Sequence, residues 1–248
     1  MKDQIIKWIQ DWFEVNGPES PVVIGISGGK DSSVVAALCV AALGKERVIG
    51  LLMPADHQHD IDVSYELVDY LDIPHKVINV GKTIKEIHNS FKDWKGVKTN
   101  SVFLTNIPPR VRMTHLYAAA GLINGRVANT SNFSENYVGY ETKYGSSTGD
   151  FAPIANLTVT EVKELGKELG LPEKFIEKVP EDGLCGKTDE ENLGFTYEVL
   201  DRYIRTNECE DMLTGQKIVQ LHKGSEHKRN PIPAFKHQGE KAPTFYFK

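Results

Sequence analysis

Between a β-branched run and an alanine-rich run, the chain reads Ser27-Gly28-Gly29-Lys30-Asp31-Ser32-Ser33. The segment before it, Pro21 to Ile26, is a continuous apolar stretch of the kind buried on both faces of a parallel sheet. The segment after it is helical in pattern to about Leu43. Strand, glycine turn and helix together form the opening of a βαβ unit. A second apolar strand spans Arg47 to Met53, an amphipathic helix Asp60 to Leu71, and a third strand His75 to Val80. This alternation requires a parallel sheet with right-handed crossovers.

Beyond the third strand, Gly81 to Phe103 is less regular, and Pro108-Pro109 stands at the first turn of a helix continuing from Arg110 to Ile123. Arg126 to Thr130 reads as a fourth strand and Phe151 to Ile154 as a short fifth. Thr158 with Glu161, and Thr188 with Glu191, have the spacing of capping boxes and mark two helix starts. A last helix covers about Glu210 to His222. The remainder, 223–248, carries Gly224, Pro231, Pro233, Gly239 and Pro243 and reads as a loop or tail. At the amino terminus Ile5, Ile6, Ile9, Trp12 and Phe13 fall on one face of a packing helix. The expected architecture is α/β, a Rossmann-like three-layer domain with a central parallel sheet and helices on both faces, in a single domain over 1–248.

With 29 basic and 34 acidic residues the formal charge is −5, so no global positive field collects nucleic acid or an anionic membrane. The longest strictly apolar run, Val34 to Leu43, is about half of the roughly 20 residues needed to span a bilayer. Cys39, Cys185 and Cys209 are odd in number and widely spaced, which suits neither a disulfide framework nor a CxxC site. A cytoplasmic protein is expected, with no nucleic acid and no membrane as partner.

A glycine turn between a parallel strand and a helix offers unpaired backbone N–H groups to phosphate oxygens. A helix end carries only about half an elementary charge, so metal and basic side chains must supply the rest against a triphosphate. Here Ser27, Ser32 and Ser33 add hydroxyls, Lys30 adds charge, and Asp31 adds a carboxylate suited to Mg²⁺. The loop is not a Walker A motif, because Ile24 stands where the first glycine belongs and Asp31 follows the lysine. Two other readings stay open on these residues alone: a plain tight turn, and a Gly-x-Ser-x-Gly nucleophile elbow over Gly25 to Gly29 with Ser27 attacking.

Ser27-Gly28-Gly29-Lys30-Asp31-Ser32 resembles the SGGxDS loop of the PP-loop ATP pyrophosphatases, the adenine-nucleotide α-hydrolase superfamily. Within it, Asn106-Ile107-Pro108-Pro109-Arg110-Val111-Arg112-Met113 resembles the N-x-x-A-R-x-R-M segment of NAD synthetases. Thr130 to Glu135 is similar to their T-x-x-x-x-E segment, Gly139 to Gly145 with Asp150 to their GYFTKYGDGGAD stretch, and His227-Lys228-Arg229 to their HKR. No nitrilase-type glutaminase segment precedes the motifs, which implies the ammonia-dependent form.

The resemblance implies a ligase that adenylates the nicotinate carboxylate of deamido-NAD with ATP, releases pyrophosphate, and lets ammonia displace AMP to give NAD. It implies that Gly25, Ile26, Ser27, Gly28, Gly29, Lys30, Asp31 and Ser32 surround ATP's phosphates, with Thr130 also on ATP. Asp31 and Glu135 would be the catalytic pair and hold Mg²⁺, and Arg110, Lys143, Asp150, His227 and Lys228 would bind deamido-NAD. A homodimer is implied, with the Arg110 to Ile123 helix as candidate interface. Other readings are another PP-loop pyrophosphatase, GMP-synthetase-like or tRNA-modifying, and a non-catalytic nucleotide sensor.

The chain departs from the family pattern at several points. Asn129, Ser131 and Asn132 replace Gly, Asp and His, Glu141 replaces Phe, and Ser146-Ser147-Thr148-Gly149 replaces DGGA. Val159 stands where a lysine is common, and Glu181 where Ser or Thr is common. Gln58, beside His57 and His59, reads equally as a candidate adenine contact or as part of a polar surface loop.

Overall fold

A computed structural model describes residues 1–56, 61–177 and 188–235. Gln58 and its flanking histidines, Glu181 and Cys185 therefore lie outside the described residues.

Helix α1 (Lys2–Asn16) forms as its apolar spacing predicts: Ile9 and Phe13 are buried, and Ile5, Ile6 and Trp12 pack on the core. Strand β1 (Val22–Gly25) leads through the glycine loop into α2 (Lys30–Leu43). Then come β2 (Val48–Leu52), α3 (Ile61–Leu71) and β3 (His75–Val77). After α4 (Gly81–Asn89) and α5 (Ser101–Ile123), the short β4 (Arg126–Val127) completes a four-stranded parallel sheet of order β3-β2-β1-β4. One face carries α1 and α2 over a core that includes Ile24, Leu38 and Phe151. The other carries α4 and α5 over Val23, Leu51 and Val127. Helices thus cover both faces, as the alternation predicts.

The order reverses between β1 and β4, and this is where open α/β sheets leave a crevice beyond the strands' carboxyl ends. Helices α6 (Phe133–Val138), α7 (Val159–Glu168), α8 (Glu173–Ile176), α9 (Asp189–Leu193), α10 (Tyr197–Thr206), α11 (Met212–Gly224) and α12 (Glu226–Arg229) follow β4. Val138, Val159, Leu193, Tyr197, Leu200 and Ile218 form a separate small core beside that crevice. None of the described helices is long and apolar enough to cross a membrane.

Both predicted capping boxes are present, at Thr158 with Glu161 and Thr188 with Glu191. Several expectations need correction. The stretch from Gly81 is not irregular throughout, since α4 fills its first nine residues. Helix α5 starts at Ser101, so Pro108 and Pro109 lie inside it and not in its first turn. Asn100 caps it by accepting the Phe103 N–H at 2.9 Å, and burial of Ile107, Pro108 and Val111 offsets the backbone bonds the prolines cannot make. The fourth strand stops at Val127, and the fifth is reduced to one parallel bridge between Ala128 and Phe151. Phe151 and Ile154 are apolar because they are buried, Phe151 against Trp12 and Phe13, and not because they pair in a ladder. The last predicted helix starts at Met212, capped by Asp211, and α10 was not predicted. The segment from 223 includes the helical turn α12.

Candidate active site

The glycine loop leaves β1 where Ile26 N–H donates to Leu51 O, and it turns at Gly28, whose φ is +72°. A Cβ there would lie 3.0 Å from the Ser64 nitrogen of α3, so the conformation and the space both call for glycine. The hydroxyls tie the turn together. Ser27 Oγ lies 3.1 Å from Ser32 Oγ and accepts from Gly29 N–H at 3.3 Å, while Ser32 and Ser33 both donate to Gly29 O. No histidine contacts Ser27 Oγ among the described residues, so the nucleophile-elbow reading finds no base there.

Lys30 does not face outward with the loop. Its side chain is 2% exposed, with Nζ 2.8 Å from Asp31 Oδ2, 3.7 Å from Glu135 Oε1 and 5.7 Å from the centre of the Tyr197 ring. Burial works against the ammonium, but Asp31 and Glu135 outweigh it and hold the group protonated. Burial pushes Glu135 up to about 8, and the neighbouring Asp31 charge pushes the same way while Lys30 opposes both. Asn132 joins the two halves of the cluster. Its Nδ2 donates to Asp31 Oδ1 at 3.0 Å, and its Oδ1 accepts Glu135 N–H at 3.0 Å as the N-cap of α6. On the far side, Tyr197 O–H donates to Asp189 Oδ2 at 3.1 Å, and burial raises the phenol before the neighbouring carboxylates add to it.

A second group gathers around the 139–145 loop. Arg110 Nε donates to Lys143 O at 3.2 Å, Lys143 Nζ to His227 O, and Lys228 Nζ to Gly139 O and Glu141 O at 2.7 and 2.8 Å. Four of the five residues expected on deamido-NAD therefore meet. Asp150 shares no hydrogen bond or ion pair with them. It accepts Val127 N–H at 2.7 Å and Tyr117 O–H at 3.3 Å, and lines a cavity of about 480 Å³ with Trp8, Trp12, Asn129 and Glu141. Arg110 lines a different cavity of about 520 Å³, with Phe91, Trp94, Phe103 and Val111. Thr130 is half-buried, two residues from Asn132.

A model of the NAD synthase family matches residues 1–232. The chain is 40% identical over 249 aligned positions to an NH3-dependent NAD(+) synthetase of Pyrococcus horikoshii, covering 94% of this chain and 95% of the relative. The chain belongs to the NAD synthase family. It is also 44% identical to an NH3-dependent NAD(+) synthetase of Methanococcus aeolicus, over 74% of this chain and 73% of that one. Among solved structures, an NMN synthetase from Francisella tularensis superposes with a TM-score of 0.86 at 33% identity, covering 95% of this chain and 97% of its own. An NH3-dependent NAD synthetase from Campylobacter jejuni gives 0.76 at 30% identity, with coverage of 95% and 97%.

The departures of this chain from the NAD synthase pattern are coupled in space. Asn129 Nδ2 donates to Ser146 O and Thr148 O, Ser131 Oγ donates to Ser146 O, and Gly149 presses so close to Asn129 that a Cβ would lie 2.7 Å from its backbone nitrogen. The substituted strand end and the substituted loop thus fit one another. Glu141, 9% exposed, has an Oε2 without a hydrogen-bond partner among the described residues, and burial raises its carboxyl. Sequence reasoning missed Asn132 as a bridge and Asp189 and Tyr197 as neighbours of Lys30. The available signals were an Asn three residues before Glu135, and a capping box that makes Asp189 the first residue of α9.

Mg²⁺ is commonly held by one or two carboxylates together with substrate phosphates and water. Asp31 and Glu135 fit that need, since both turn to the Lys30 ammonium beside the phosphate loop. No group of three metal-ligating side chains forms among the described residues.

Proposed function

We propose that this chain is an ammonia-dependent NAD synthetase, amidating deamido-NAD with ATP through an acyl-adenylate to give NAD, AMP and pyrophosphate. The observation that carries the reading is the meeting of Asp31, from the loop after β1, with Asn132 and Glu135, from the segment after β4. Adenylation needs charge stabilisation and alignment more than a protein nucleophile. The glycine loop supplies backbone N–H groups, and Ser27 and Ser32 fix its shape. Asp31 and Glu135 would hold Mg²⁺, which would neutralise phosphate charge, and Lys30 keeps both carboxylates in place. Arg110, Lys143, His227 and Lys228 form the deamido-NAD side, and Asp150 with the two tryptophans lines a further part of it. Ammonia needs no covalent relay from the chain, because it is itself the nucleophile toward the activated carbonyl.

The reading places the enzyme in the cytoplasm as a homodimer, with the deamido-NAD side near the subunit interface and α5 contributing to that interface. Light scattering at micromolar concentration tests the assembly, and a fully active monomer would reject it. For the activity, the purified protein is incubated with ATP, Mg²⁺, ammonium and deamido-NAD, each omitted in turn, and the nucleotides are separated. NAD forming in step with AMP and pyrophosphate, only in the complete mixture, is the expected result. AMP without NAD would mean the wrong acceptor. The likeness to an NMN synthetase favours one second acceptor, nicotinate mononucleotide, so the same assay is run with it.

A further inference from the structure

Helix α5 runs antiparallel to β1. Its Leu116 meets Gly25 at the carboxyl end of the strand, while Gly125, just past its last turn, meets Val23 and Pro21 at the amino end. Arg112 is one turn before Leu116, toward the carboxyl end of the sheet, where the phosphate loop also begins. There its Nε donates to Met53 O at 3.0 Å, on the residue that follows β2. Met53 in turn reaches to 3.4 Å from where a Gly25 Cβ would stand, which places this anchor beside the root of the loop.

Among the described residues the guanidinium has no other partner and no carboxylate near enough to pair with it. Its environment is dry enough that burial lowers its pKa. The guanidinium is part-buried with no carboxylate beside it among the described residues, and an anion docking there would gain a charge-assisted partner. The other cations of the site are engaged. Lys30 is turned to Asp31 and Glu135, and Arg110, Lys143 and Lys228 to backbone carbonyls. The planar fork of an arginine matches a phosphate bidentately, and the Met53 bond leaves its terminal nitrogens free to do so.

We propose that Arg112 is a phosphate-binding residue of this site, closing on the pyrophosphate end of ATP opposite the glycine loop. The inference rests on the synthetase reading only for the identity of the nucleotide. It is tested by calorimetric titration of the full chain with pyrophosphate in the presence of Mg²⁺, and separately with deamido-NAD, for the wild type, Arg112→Gln and Arg112→Lys. Arg112→Gln is expected to bind pyrophosphate about tenfold more weakly, Arg112→Lys to lose less, and deamido-NAD affinity to stay within about twofold. Unchanged pyrophosphate affinity in a folded Arg112→Gln overturns the proposal, as does an equal loss for deamido-NAD or a wild type that binds no pyrophosphate. If Arg112→Gln does not fold, Arg112→Lys decides, because it keeps the charge and loses the fork; unchanged affinity there also overturns the proposal. A wild type that binds pyrophosphate yet makes no amide product counts against the synthetase reading and leaves the comparison of variants intact.

Discussion

The ammonium of Lys30 lies 2.8 Å from the carboxylate of Asp31, the next residue along the chain, in a site only 2% exposed on the lysine side. Glu135 is at 3.7 Å on another side, and Tyr197 closes a third with its ring. The loop's one cation is thus an internal counter-charge for its carboxylates. Lys30→Met leaves the part-buried Asp31 carboxylate without its ion-pair partner, a change worth about 1–3 kcal/mol. Urea unfolding is expected to show a loss of that size, with Mg²⁺ restoring more stability to the variant than it adds to the wild type. Equal stability of the two proteins would remove the counter-charge role.

Glu135 sets a pH dependence with a definite sign. Its carboxyl is raised from the ordinary 4.5 to about 8, first by burial and then by Asp31. Between those values the folded chain holds a proton that the unfolded chain has released, so stability from this group is full at low pH and is lost as pH rises through about 8. Glu135→Gln should flatten that decline when unfolding is followed at several pH values. Because Mg²⁺ takes the ionised form, its affinity should climb with pH by up to about tenfold per unit until it levels near 8. A pH-independent Mg²⁺ titration would reject Glu135 as a ligand.

Tyr197 offers two separable interactions, the O–H on Asp189 and the ring over Lys30. Tyr197→Phe keeps the ring and removes the phenol's hydrogen bond to Asp189, a change worth about 0.5–1.5 kcal/mol in stability. Tyr197→Leu removes the ring as well. The expectation is that Mg²⁺ affinity survives in Tyr197→Phe and falls in Tyr197→Leu, and the reverse order would show that the hydroxyl, not the ring, positions Lys30.

The sheet and the loop were legible because their signals are local. A β-branched run, two adjacent glycines and an alanine-rich helix lie within about two dozen residues, and each needs only its neighbours to form. The capping boxes were legible for the same reason. Helix α5 was cut short because two prolines read as a helix start, and only tertiary burial of Ile107 and Pro108 explains why the helix runs through them. Phe151 read as strand because apolar runs do not say whether they will pair or merely pack. In the site, the loop and Glu135 carried recognisable spacing, whereas Asn132, Asp189 and Tyr197 reach the cluster from segments that adjoin it only in three dimensions. Lys30 was read as a phosphate ligand since charge is visible in sequence and side-chain direction is not.

Gly28 tests the loop itself. Its φ of +72° disfavours any side chain by about 1–2 kcal/mol, and a Cβ would also press against Val63 and Ser64 at 3.0–3.1 Å. Gly28→Ala should therefore lower stability by at least about that amount and reduce the affinity for ATP more than for deamido-NAD. Thermal unfolding with separate titrations of the two nucleotides measures both effects. Intact ATP binding in this variant would mean that the turn's shape does not matter for the phosphates.

Lys228 makes the complementary test on the other nucleotide. Its ammonium, depressed by burial and next to Arg110, bonds Gly139 O and Glu141 O and so clasps the loop that carries Lys143. Lys143 in turn receives Arg110 on its carbonyl and donates to His227 O, so the four residues form one connected unit anchored by α12. Lys228→Met would free both carbonyls and loosen that unit without touching the glycine loop. Steady-state kinetics should show KM for deamido-NAD raised about tenfold and KM for ATP within about twofold, with stability lower by about 1–3 kcal/mol. An equal rise for both substrates would mean that Lys228 supports the whole crevice, and a rise for ATP alone would place the deamido-NAD side elsewhere.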